Sequence, residues 1–211
     1  MKGPQPGLVA GLSRFVRERP SPATSPASKS QDRCELCPIS LPSDHKHLLD
    51  LDERRIVCVC ATCWSMRSGD ARYRPTGSRT VWLADFELPD ELWAEFQIPV
   101  GLAFFMRSAE TGTVVGLYPS PAGATECELD LDAWNRLVAA NPVLEDLDPD
   151  AEGLIVNRLT EPRLHAIAPL DECYRLVGLI KTTWEGISGG GQMETTVRDF
   201  FDGLRATATV R

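Results

Sequence analysis

Five of the seven cysteines in this 211-residue chain, Cys34, Cys37, Cys58, Cys60 and Cys63, fall within 30 residues, while Cys127 and Cys173 stand alone. Cys34-Glu-Leu-Cys37 and Cys60-Ala-Thr-Cys63 are separated by 22 residues. Two such pairs suit a tetrahedral metal–tetrathiolate site, because each tight turn presents two thiolates on one side. A structural ion contributes on the order of 10–16 kcal/mol to small fingers, enough to fold a segment too short to carry its own core. The expected ligands are therefore Cys34, Cys37, Cys60 and Cys63, with structural zinc as the favoured ion and iron as the alternative.

Cys58 complicates the assignment. In an extended Ile56–Cys60 strand it shares a face with Cys60, so either could reach the ion. Cys60 fits the second turn better, leaving Cys58 as a neighbour or alternate ligand. His45 and His47, in the intervening loop, are further alternates: one could replace a cysteine or donate a hydrogen bond to a thiolate. The plainer reading is an exposed polar loop. Pro38 directly follows the first pair and cannot reach the positive φ that Gly often supplies there, so an irregular first turn is expected. Four thiolates around a divalent ion leave a net −2 site, which Arg33, Lys46, Arg54 and Arg55 could offset.

Charge is segmented along the chain. The net −8 divides into +4 over residues 1–33, +1 over 34–79 and −13 over 80–211. An acidic body repels phosphate backbones, so nucleic acid is not an expected partner, although the basic stretch from Arg67 to Arg79 keeps the question open for the cysteine segment. No run reaches the length of a membrane span, and the opening MKGPQPGLVAGLSRFV lacks a continuous apolar stretch. A cytoplasmic protein is expected, and clustered cysteines there indicate metal before disulfides.

The elements that must position these groups follow from periodicity. Leu8, Leu12, Phe15 and Val16 have helical spacing, and residues 20–32 read as a Pro/Ser-rich linker. Beyond residue 80, helices are expected at Asp90–Phe96, Leu131–Ala140 (capped by Asp130, stopped at Asn141-Pro142) and Leu170–Glu185. Val197, Phe200, Phe201 and Leu204 mark a last amphipathic helix. Val100–Arg107 and Thr113–Tyr118 predict a hairpin, and Gly153–Arg158 and Leu164–Ala168 two more strands. The fold class is thus α+β: a flexible arm and linker (1–33), a zinc-ribbon-like module (34–79) and an acidic α+β domain with an antiparallel sheet (80–211).

The motifs Cys34-Glu-Leu-Cys37, His45-Lys-His-Leu48, Val57-Cys-Val-Cys-Ala-Thr-Cys63, Tyr118-Pro-Ser-Pro-Ala-Gly-Ala-Thr-Glu126, Cys173-Tyr-Arg-Leu-Val-Gly178, Trp184-Glu-Gly186 and Phe200-Phe201 resemble those of an actinobacterial family of unknown function. Genes of that family lie in clusters for nickel–iron uptake hydrogenases and their maturation factors. The resemblance spans about residues 34–205 and implies a helper role around a hydrogenase. Two departures are Pro38, where Gly is expected, and Cys127, where Ser is expected; the latter implies that Cys127 is no ligand.

No GxSxG, HExxH or P-loop pattern occurs. His165 reads as a core or surface histidine within a strand, Cys173 as a buried thiol, and Gly189–Gly191 as a helix connector rather than a phosphate nest. The Tyr118–Glu126 loop, with its small residues, is the best place for a ligand to approach backbone. Three readings compete. The first is a non-enzymatic zinc-binding accessory protein contacting a protein partner, such as a hydrogenase subunit or maturation factor. The others are a rubredoxin-like iron carrier and an enzyme acting through the Tyr118–Glu126 loop, which requires a concave pocket there.

Overall fold

The computed structural model describes residues 33–183 and 190–211. The expected N-terminal helix and linker, Trp184 and the glycines at 186 and 189 lie outside these residues. Residues 33–183 and 190–211 belong to one compact unit.

The chain enters through the first cysteine turn, closed by an isolated antiparallel bridge between Arg33 and Ser40. It then forms β1 (Lys46–Asp50), β2 (Arg55–Val59), α1 (Ala61–Arg67) and β3 (Tyr73–Pro75). The strands make an antiparallel sheet in the order β2-β1-β3. Asp50, 1% exposed, fixes the β1–β2 turn: its Oδ1 accepts the Asp52 and Glu53 amides at 3.1 and 3.2 Å. Arg72 clamps the same carboxylate at 2.7–3.2 Å, and this guanidinium holds the carboxyl below its ordinary range. Arg54 supplies the positive φ, 47°, that the turn requires.

The remainder comprises β4 (Val81–Trp82), α2 (Asp90–Glu95), β5 (Leu102–Arg107), β6 (Val114–Ser120), β7 (Gly123–Cys127), α3 (Leu131–Ala140), β8 (Glu152–Asn157), β9 (Leu164–Pro169), α4 (Leu170–Thr183), α5 (Gly190–Thr207) and β10 (Thr209–Val210). Seven strands form a second sheet, ordered β10-β4-β9-β8-β5-β6-β7. Its pairs are antiparallel except the edge pair β10–β4, so the sheet is mixed. The α+β class holds, with this one parallel edge added.

The central strands are apolar on both faces because helices cover both. On β5, Leu102, Phe104 and Met106 face one core with α4 and α5, whereas Ala103 and Phe105 face a second core containing Leu92 of α2 and Trp134 and Leu137 of α3. On β8 and β9 the alternation continues through Leu154, Ile155 and Val156 and through Ala166, Ile167 and Ala168. Val197, Phe200, Phe201 and Leu204 of α5 are the periodic residues expected to face inward, and they are buried there with Val177 and Ile180 of α4. Asp130 caps α3 by accepting the Asp132 and Ala133 amides. Gly153 is required by a close approach, since a Cβ there would meet Cys173 Sγ at 2.8 Å. Cys173 is accordingly a fully buried core thiol.

The Tyr118–Glu126 stretch is not a loop. It is the hairpin β6–β7, in which Tyr118 pairs with Thr125 and Ser120 with Gly123, leaving only Pro121 and Ala122 between them. Gly123, at φ 122°, permits this tight reversal, and Ser120 Oγ donates to the Gly123 carbonyl at 3.1 Å.

His165 lies in β9, 8% exposed, with its ring 4.7 Å from that of Phe86. Burial, reinforced by Arg158 and Arg163, lowers its pKa from 6.5 to about 4. The unfolded chain therefore takes up the proton first as pH falls. Stability from keeping this ring neutral is complete above pH 6.5 and is lost progressively down to about pH 4, a total of about 3 kcal/mol. His165→Phe should flatten the decline in unfolding free energy between pH 7 and pH 5, measured by urea denaturation; an unchanged decline would show that His165 is not its source.

Candidate metal centre

The sulfurs of Cys34, Cys37, Cys60 and Cys63 all lie within 4.8 Å of one another. Cys37 Sγ and Cys60 Sγ are 3.8 Å apart. A tetrahedral ion with bonds of about 2.3 Å to sulfur sets its ligands about 3.8 Å apart, so this pair stands at ligand spacing without rearrangement. The cluster could hold a metal ion.

Each turn is closed by a backbone donor. In the first, the Cys34 amide donates to the Ile39 carbonyl at 2.9 Å. In the second, β2 ends at Val59 and Cys60 caps α1, accepting the Cys63 amide on its sulfur at 3.4 Å. The Cys60 amide donates to Cys34 Sγ at 3.4 Å, joining the turns. Glu35 adds a second tie: its amide donates to the Cys58 carbonyl and its Oε1 accepts the Cys58 amide, at 2.9 and 2.8 Å.

These surroundings treat the thiols unequally. Burial opposes ionisation of Cys34, but the amides of Cys60, Leu36 and Cys37 outweigh it and bring its pKa down to about 7. Burial and the neighbouring thiols push Cys63 up to about 12. For Cys37, donation by Ile39 is outweighed and the pKa rises. The cage thus favours a thiolate at Cys34 and resists one at Cys37 and Cys63, the state that a divalent cation reverses. Three of the four basic side chains expected to offset the cage are engaged elsewhere: Arg55 with Glu53 and Glu35, Arg54 with Glu126, and Lys46 over the Trp64 ring. Backbone amides of Cys60 and Cys63 donate to cage sulfurs instead.

Cys58, His45 and His47 do not join the four cysteines. Their donor atoms form a separate group, within 4.8 Å of one another. His47 belongs to β1, not to a loop, and His45 lies just before it. Cys127 is in β7, where its thiol donates to the Gly116 carbonyl. In the Arg67–Arg79 stretch, Arg67, Arg72 and Arg79 each face carboxylates: Asp70, Asp50 and Glu152. At Arg67, Arg72 and Arg79 a phosphate would have to displace these partners.

A cavity of about 270 Å³ opens between the two sheets. Leu49, Leu51 and Arg54 line one wall, and Met106, Tyr174 and Glu126 the other. The β6–β7 hairpin borders it through Ala124 and Glu126, and Arg54 pairs with Glu126 across it at 2.9 Å. Periodicity could not reveal this seam, because its walls come from segments more than 50 residues apart.

Replacing Cys34, Cys37, Cys60 or Cys63 by Ser should each abolish binding of one metal equivalent and expose 34–63 to limited proteolysis. Cys58→Ser should leave that equivalent bound. If Cys58→Ser removes it and Cys60→Ser does not, the ligand assignment is wrong.

Among the described residues, no helix is long and apolar enough to cross a membrane. No curated protein and no solved structure matches the chain. A model of the family described as "Family of unknown function (DUF5947)" matches residues 33–208, and the chain belongs to that family.

Proposed function

We propose that the protein is a zinc-stabilised accessory protein. In this reading, residues 34–79 form a metal-dependent module carried on an acidic α+β body, and the whole acts through contacts with a protein partner. The observation that carries it is the four-sulfur cage in a segment with very little core of its own. The buried apolar set there is Cys34, Leu41, Leu48, Val57, Val59 and Tyr73. Zinc is preferred to iron because borderline-soft, redox-inert zinc suits a closed tetrathiolate that only has to hold two turns together.

The surface supports a binding role. α1 buries no residue, and Met66 on it is 75% exposed. Ile39, two residues beyond the first pair, is 56% exposed. Each turn of the cage thus carries a large apolar side chain in water, while the body offers an acidic surface. A hydrogenase subunit or maturation factor is the partner suggested by the gene-cluster resemblance, and a cytoplasmic location accompanies that role. The enzyme reading draws on one observation, the cavity bordered by Ala124 and Glu126, whose rim also carries Glu53, Glu110 and Asp150.

Elemental analysis of protein purified from its native cells, combined with affinity capture, tests the proposal. Colourless protein containing zinc, recovered with a hydrogenase subunit or maturation factor, is the expected result. A coloured, iron-loaded preparation would establish the electron-transfer alternative, and capture of no partner would remove the accessory role.

A further inference from the structure

Among the described residues, His45, His47 and Cys58 are a second group of potential metal ligands whose donor atoms lie within 4.8 Å of one another. β1 and β2 pair with His47 opposite Cys58. The Cys58 amide and carbonyl both turn away from β1 to Glu35, so His47 and Cys58 form a non-hydrogen-bonded pair, the type that brings side chains closest. Strand alternation places this pair on the same face as Leu49 and Ile56, which pack toward the body, while Cys58 at the strand edge also packs against the small core of Leu48, Val57 and Val59. His45, just before β1, brings its ring to 4.7 Å from that of His47, edge to face.

The hydrogen bonds fix which nitrogens are available. His45 Nδ1 lies 2.9 Å from the Pro42 carbonyl, an acceptor only, so Nδ1 carries the proton and Nε2 the lone pair. His47 Nδ1 lies 2.8 Å from Asp171 Oδ2 at the start of α4, which assigns its tautomer the same way. His45 Nε2 is buried with no hydrogen-bond partner. Carbonyl–histidine and carboxylate–histidine pairs of this kind orient and strengthen metal-ligating imidazoles.

We propose that His45 Nε2, His47 Nε2 and Cys58 Sγ form a second mononuclear site for a divalent transition ion, zinc foremost, separate from the four-thiolate cage. Binding displaces the Cys58 thiol proton to solvent, and two neutral imidazoles and one thiolate then hold the ion. Three protein donors leave the fourth position of a tetrahedral ion to water or another exogenous ligand, unlike the closed cage. Asp171 is a positioning residue: it reaches from the body to orient His47, so an ion here also secures the small sheet to α4.

The test is anaerobic titration of the full metal-free chain with Co2+, with bound metal counted after gel filtration and the coordination read from the absorption spectrum. Wild type should bind one equivalent more than His45→Gln, His47→Gln or Cys58→Ser, with bands of a mixed nitrogen–sulfur site that each variant lacks. Asp171→Asn should weaken that equivalent about 10–100-fold while preserving its spectrum. The difference of one equivalent is expected whether or not the cage itself loads, so this result is distinct from failure of the accessory reading. Equal stoichiometry in wild type and His45→Gln overturns the second site. So does loss of the tetrathiolate spectrum in His45→Gln with unchanged circular dichroism, since that places the histidine in the cage.

Discussion

Four thiols held within 4.8 Å of one another cannot all ionise without a cation among them. The spread between Cys34, near 7, and Cys63, near 12, is the electrostatic signature of that conflict. A divalent ion resolves it by replacing mutual repulsion with four bonds. The two turns it would join are otherwise held by a few amide–sulfur contacts and the Glu35–Cys58 pair. In the proposed reading, the two cysteine turns ahead of α1 depend on that ion for their order.

The sheet beside the cage has two different faces. Leu48, Val57 and Val59 pack toward the cysteines, while Leu49 and Ile56 join the core under α4 and α5. Polar ties reinforce that docking. Tyr174 donates its hydroxyl to the Arg54 carbonyl, His47 meets Asp171, Arg54 meets Glu126, and the Gly77 amide donates to the Ala151 carbonyl. The cavity and the His45–His47–Cys58 cluster both sit on this body-facing side. Function at the seam would thus be sensitive to metal in the cage without the ion touching it.

The long elements were legible in the sequence because each carries a strong period. Helices α3, α4 and α5 and strands β5, β8 and β9 follow directly from apolar spacing and caps. Short elements had no period to read: β4 and β10 are two residues each, and β3 is three. β7 was hidden by Pro119, Pro121 and Gly123, which read as loop chemistry but build a tight hairpin. The spacing of Cys34, Cys37, Cys60 and Cys63 pointed to the group that the fold brings together. It could not separate Cys58 from Cys60, because that depends on β2 ending at Val59 and the chain turning into α1. Nor could it reveal Glu35 as the clamp on Cys58 or Asp171 as the partner of His47, contacts made through tertiary structure.

The dependence of the small sheet on metal can be measured directly by hydrogen exchange of the full chain before and after chelation. If the cage sustains that sheet, the amides of Leu48, Val57 and Val59 lose protection when metal is removed, while those of Leu154, Val156 and Ile167 keep theirs. Retained protection in β1 and β2 after complete metal removal, or equal loss across both sheets, would contradict it.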